Sequence, residues 1–176
     1  MFVVVYISFM GYAGDRVTAW LHPELDPGDT GYQILQSLYA IGSGGLFGLG
    51  YGKSRQKYLY LPFQYNDYIF AVICEELGLV GAMAIVILFA VTILRGYWIA
   101  LNARDRFSTV FAAGLVTLIA VQTILNLCVV TNLLPSTGIA LPFFSYGGTA
   151  LAVNLGEMGI VLGISRGRNR RKIQEA

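Results

Sequence analysis

The chain has 176 residues, a formal net charge of +2, 56% hydrophobic and 12% charged residues, and a mean hydropathy of +0.62. Charged residues run at half the soluble norm of about 25%, which excludes an ordinary soluble domain and indicates an integral membrane chain. The cations are clustered instead of forming a stripe, so no nucleic-acid partner is expected.

Residues 1–13 are apolar, but Phe2 to Tyr12 is too short to cross a bilayer, which takes about 20 residues. No basic stretch opens them as in a signal peptide. They read as the last part of a membrane helix, and the chain as a fragment of a longer protein. Residues 14–67 read as a long, mostly polar connection. Asp15, Arg16, Asp26, Pro27, Gly28 and Asp29 are turn material. The single histidine, His22, reads as a surface loop residue. Thr30 to Gln33 has the form of a capping box. Behind it Ile34, Leu35, Leu38 and Ile41 recur at helical spacing, with Gln33, Gln36 and Ser37 on the other side. The spacing predicts a short amphipathic helix at the membrane interface. Gly42 to Gly52 reads as a flexible glycine-rich hairpin. Its end, Gly52-Lys53-Ser54, resembles a P-loop, but Phe47 stands where that pattern needs glycine and no strand precedes it, so a nucleotide site is rejected. Lys53, Arg55 and Lys57 form either a solvated charge cluster or an anion clamp for phosphate.

Three apolar segments follow, over 68–95, 107–131 and 149–165, each a predicted transmembrane helix. Asp67 stands at the head of the first, and Glu75 and Glu76 lie inside it. At helical spacing Asp67, Ala71, Cys74, Gly78 and Gly81 share one face, a small-residue seam for a close neighbour, with Glu76 roughly opposite. Asp67 is either a helix cap favoured by the macrodipole or a functional carboxylate at the edge of hydrocarbon. Gln122 and Asn126 share a face of the second segment and read as interhelical glue; Asn154 and Glu157 lie inside the third. Cys74 and Cys128, the two cysteines, sit in apolar runs and read as packing residues, with no zinc site or disulfide framework expected. Arg95, Arg104 and Arg106 in a short loop and the basic tail 166–176 are expected on the cytoplasmic side. The 14–67 connection and residues 132–148 then lie outside. The latter are apolar yet broken by Pro135 and Pro142 and by glycines, which predicts a re-entrant loop buried against protein.

The motifs in this order resemble the SEDS family, the FtsW/RodA/SpoVE proteins of bacterial cell-wall synthesis. The matching pieces run from Asp26-Pro27 through Gly31-Tyr32-Gln33, Gln36-Ser37 and Ala40 to Gly48. They continue with Ser54-Arg-Gln-Lys-Tyr-Leu-Tyr-Leu-Pro62, Asp67-Tyr-Ile-Phe-Ala, Glu75-Glu-Leu-Gly78, Leu134-Pro-Ser-Thr-Gly138 and Leu141 to Gly148. Gln56-Lys57 before Tyr-Leu-Pro is closer to the division and sporulation branch. Phe63 stands where the family usually has glutamate, and Tyr65-Asn66 where it has His-Thr. The resemblance implies an all-α, polytopic membrane fold of about ten helices, of which this chain carries three and part of a fourth, together with the large outer loop and the re-entrant loop. It implies a multi-pass protein of the bacterial cell membrane with its reactive loop on the extracytoplasmic side. The implied activity is a peptidoglycan glycosyltransferase polymerising lipid II, with Asp67 catalytic and Lys53, Arg55, Gln56, Lys57, Ser145 and Tyr146 binding substrate. A divalent cation is an optional cofactor, a class B penicillin-binding protein is the expected partner, and this fragment alone is expected to be inactive. A lipid II transporter and a non-catalytic scaffold for a division transpeptidase are the alternatives.

Overall fold

The computed structural model describes residues 14, 16–25, 30–54 and 67–174. The short apolar start, the Asp26–Asp29 turn, Arg55, Gln56, Lys57, Phe63 and Tyr65-Asn66 lie outside the described residues. A helical segment over 16–21 and a 3-10 turn, Pro23–Leu25, come first. Four longer helices follow: α1 (Thr30–Gly44), α2 (Ile69–Leu101), α3 (Arg106–Val130) and α4 (Gly148–Gln174). No strand occurs among the described residues. Three helices, Ile69–Leu101, Arg106–Val130 and Gly148–Gly167, are long and apolar enough to cross a membrane. The protein is an all-α membrane chain.

Small residues set the packing. α2 and α3 form an antiparallel pair joined by a short turn, in which the Asp105 carboxylate accepts from the Ser108 amide at 2.9 Å and caps α3. A side chain on Gly96 would meet Val116 Cγ2 at 2.6 Å, so glycine is what lets the two helices approach. Ala100, Ala112, Val116 and Val161 close this end, and α4 joins it through Val161. A second cluster, with Ala40, Tyr68, Phe70, Ala71, Val130 and Leu141, closes the end nearer Asp67.

Several expectations change. α2 runs to Leu101, past the expected end at 95, so Arg95 lies within the helix and places its guanidinium 5.1 Å from the Trp98 ring centre. α4 likewise continues beyond 165. α1 turns a different face inward than its apolar spacing suggested. Ile34, Ser37 and Ala40 are buried, and Gly31 and Gly44 extend the same stripe, while Leu35, Leu38 and Ile41 are only half-buried. The Ser37 hydroxyl donates to the Ile34 carbonyl at 2.8 Å, which lets a polar residue sit at a close helix contact without an orphan group.

The largest departure is inside α2. Gly78 has φ 67° and ψ −170°, so the helix is broken there. A break deprives carbonyls and amides one turn apart of their partners, and unpaired backbone groups in an apolar setting are costly. The glycine-rich loop supplies all four replacements. Leu49 and Gly50 donate their amides to the carbonyls of Glu75 and Glu76 at 2.9 and 3.0 Å. The amides of Leu79 and Val80 donate to the carbonyls of Gly45 and Leu46 at 2.9 and 3.2 Å. The expected flexible hairpin is thus a strap docked on backbone. Gly44 lies against the Cys74 carbonyl, and Gly48 against that of Glu76, with no room for a side chain. Of the predicted seam, Ala71, Cys74 and Gly78 are buried, Gly78 under the strap, whereas Gly81 lies half-buried against Leu77. Glu76 is buried with Glu75, because the strap covers the side that helical spacing had turned outward.

Candidate functional site

Asp67 sits in the turn that leads into α2, half-buried. Three parts of the chain converge on it. From α3, the Asn126 amide donates both to the Asp67 backbone carbonyl at 2.7 Å and to the Ile139 carbonyl at 2.8 Å. One side chain therefore fixes the height of Asp67 and of the loop after α3 together. From that loop, Gly138 adopts φ 71°, and a side chain there would stand 3.6 Å from Asp67 Oδ2. The loop thus passes over the carboxylate by its bare backbone. From the segment over 16–21, Arg16 Nη1 donates to the Ser136 carbonyl at 2.8 Å, and Trp20 Nε1 donates to the Asn132 carbonyl at 3.0 Å. These two bonds clamp the loop from the far side.

The electrostatics follow from this enclosure. Burial pushes the Asp67 carboxyl above its ordinary value, and the Arg16 charge opposes that rise. Tyr68, buried beside it, is pushed up to about 12 by burial and by the Asp67 charge, with Arg16 again opposing. Its hydroxyl therefore stays protonated across the physiological range. It has no hydrogen-bond partner among the described residues. A half-buried carboxylate with a raised pKa, a fixed guanidinium nearby and a backbone-lined approach suits proton abstraction from a hydroxyl next to an anionic group.

The other predicted site residues fall in different places. Lys53 is exposed at the end of the strap, and among the described residues Arg16 is a cation whose field reaches Asp67. Next to Lys53, Ser54 is fully buried and bonds to the Glu75 carboxylate. Ser145 accepts the Leu141 amide on its hydroxyl at 2.7 Å, holding the 141–145 turn in shape. It also lines a cavity of about 490 Å³ between α3, α4 and the loop, with Ile139, Gln122, Asn154 and Glu157. Tyr146 is 84% exposed and does not line the cavity. Leu118 and Gln122, in the middle of α3, line the same cavity as the loop, and Phe144 meets Phe89 of α2 with ring centres 5.9 Å apart. Among the described residues no group of three or more His, Cys, Asp or Glu converges, so the expected optional divalent cation gains no ligand set there.

Arg16 and Asn126 are the site residues that sequence reasoning passed over. Arg16 read as turn material, and its bond to Ser136 spans 120 positions, so no local pattern shows it. Asn126 read as interhelical glue. Its signal was an amide one turn from the end of an apolar helix, close to where the broken loop begins.

Comparison with known proteins gives one consistent result. The profile of the FtsW/RodA/SpoVE family, described as Cell cycle protein, matches residues 1–170. Stage V sporulation protein E of Bacillus subtilis is 50% identical over 155 residues, covering 88% of this chain and 42% of that protein. A protein named Probable peptidoglycan glycosyltransferase FtsW, from Trichlorobacter lovleyi, is 45% identical over 166 residues, covering 94% of this chain and 44% of its own length. Among solved structures, a chain from a peptidoglycan synthase complex superposes with a TM-score of 0.73 at 30% identity, over 94% of this chain and 45% of that one. A crystal structure of a mutant Thermus thermophilus rod shape determining protein RodA gives a TM-score of 0.58 at 34% identity, over 75% of this chain and 40% of the other. The chain spans less than half the length of each of these relatives.

Proposed function

This chain belongs to the FtsW/RodA/SpoVE family, and from that premise we propose that it carries the reactive part of a peptidoglycan glycosyltransferase that polymerises lipid II into glycan strands. The observation that carries the reading is Asp67: a half-buried carboxylate whose proton affinity is raised, with its backbone carbonyl held by Asn126 and the bare backbone at Gly138 beside it. Asp67 takes the proton of the acceptor sugar hydroxyl. The oxygen then bonds to the donor anomeric carbon as the bond to the lipid pyrophosphate breaks, and the centre inverts in a single displacement. A positioned base of this kind contributes about 10²–10⁴ in rate. Arg16 and Lys53, with Arg55, Gln56 and Lys57, meet the charge that develops on the leaving pyrophosphate. Ser145 shapes the loop that roofs the site, and exposed Tyr146 offers a platform to the incoming glycan. The site works on the extracytoplasmic face of the bacterial membrane beside a class B penicillin-binding protein that cross-links the product.

Asp67→Asn in the full-length protein tests this. Polymer formation from lipid II is expected to fall to background while protein levels and thermal stability hold; undiminished polymer from the Asn variant removes the general-base role. The broken α2 also suits lipid transport, since discontinuous helices line transport sites. Product separates the two: transbilayer movement of lipid II without polymer from the wild-type protein selects the transporter.

A further inference from the structure

The strap carries side chains that its role in completing α2 does not use. Its backbone is clamped to Glu75, Glu76, Leu79 and Val80 by four hydrogen bonds through Gly45, Leu46, Leu49 and Gly50, which leaves the side chains of Leu46 and Phe47 outward, with Tyr51 directly after the last bond. Leu46 is 61% exposed, Phe47 81% and Tyr51 89%. Apolar and aromatic groups held outward by a fixed backbone cannot fold back into a core, and large exposed apolar groups close together in the chain mark an interaction surface.

Two independent measures give the level of this rim. From Leu79 to Leu101, α2 runs unbroken for about 34 Å at 1.5 Å per residue, against a hydrocarbon thickness of about 30 Å. The break, with the strap bonded to it, therefore stands where the uninterrupted span begins. On the neighbouring helix, Leu79 shares an apolar cavity with Leu127, Cys128, Thr131 and Leu133, at the end of α3 that lies nearer Asp67. Both measures put the strap at the height where two membrane helices leave the hydrocarbon. Aromatic and large apolar side chains at that height belong to the headgroup–acyl boundary.

We propose that Leu46, Phe47 and Tyr51 form an interfacial anchor that enters the headgroup–acyl boundary of the bilayer on the Asp67 side. The anchor sets the height of the strap, and through it of buried Ser54 and Glu75, relative to the membrane surface. This holds whichever reaction the site performs, since it rests on the span of α2 and α3 alone.

The test places a nitroxide at Phe47→Cys in the full chain, with Cys74→Ala and Cys128→Ala, reconstituted in vesicles of phosphatidylethanolamine and phosphatidylglycerol. Collision with oxygen, which partitions into lipid, is compared with collision with a water-soluble nickel chelate. Labels at Asn102→Cys, in the α2–α3 turn, and Val121→Cys, on the exposed side of mid-α3, calibrate water and deep lipid. Oxygen collisions at position 47 are expected to exceed nickel collisions several-fold, at a depth shallower than position 121. A nickel-dominated signal puts the rim in water and overturns the anchor. Exclusion of both reagents puts it under protein, whether another segment or a second copy, and overturns it equally. A label at Tyr51→Cys gives the same reading where position 47 does not tolerate the probe.

Discussion

Asp67 feels two opposing influences, and separating them gives a pH prediction. Burial raises its proton affinity and Arg16 lowers it. As the proposed base it would act ionised, so kcat/KM should fall as pH drops through its pKa, along a limb lying above that of an exposed aspartate. Arg16→Met removes the lowering charge, so that limb should move to higher pH. Arg16→Lys keeps the charge and should leave it nearly in place while weakening the fork to Ser136. A pH–rate profile of polymerisation checks this, and a limb that stays fixed in the Met variant denies Arg16 its electrostatic role. The linkage to stability has the opposite sense from most carboxylates. A carboxyl whose folded pKa is raised favours the fold below its unfolded value, and that contribution is lost as pH rises through the folded value. Asp67→Asn should therefore not lower stability at neutral pH, which lets a loss of activity in that variant be read as chemistry.

At the scale of elements, the strap and the break in α2 form one joint. Its glycines are unequal. A side chain at Gly78 would require a left-handed backbone for a non-glycine residue and would strike Leu46 and Gly48; one at Gly48 would strike Glu76 and Gly78. Left-handed strain alone costs about 1–3 kcal/mol, and the backbone collisions add to it. Gly42, with open space around it, is the control. Gly78→Ala and Gly48→Ala should each lower the melting temperature in detergent markedly, Gly42→Ala hardly at all; equal effects at the three would deny the joint its role. This joint was also where reading the sequence failed. Ile69 to Met83 reads as one continuous helix by its spacing, even with Glu75, Glu76, Gly78 and Gly81 inside it, and the break at Gly78 is completed by hydrogen bonds to residues about thirty positions earlier. The misplaced face of α1 has the same cause: Ser37 is polar by itself, yet small enough to let α1 close on its neighbours.

Across the whole molecule, the apolar helices were legible because long stretches with few charges leave few alternatives, and the place of Asp67 at the head of α2 was legible because the apolar run begins directly after it. Its surroundings were not, since Arg16, Asn126 and Gly138 meet only through the tertiary fold. The topology that puts Asp67 outside rests on the cations near Asn102 and in the tail. A cysteine at Asn102 should be shielded from an impermeant thiol reagent in intact cells, and one at exposed Ser43 should react; the reverse pattern would refute this topology. The strap has one more consequence, for the order in which the protein is made. Chains emerge from the ribosome N-terminus first, and residues 45–50 precede Gly78. When the broken helix reaches the bilayer its missing partners are already synthesised, so the four polar groups at the break do not wait for a segment not yet translated.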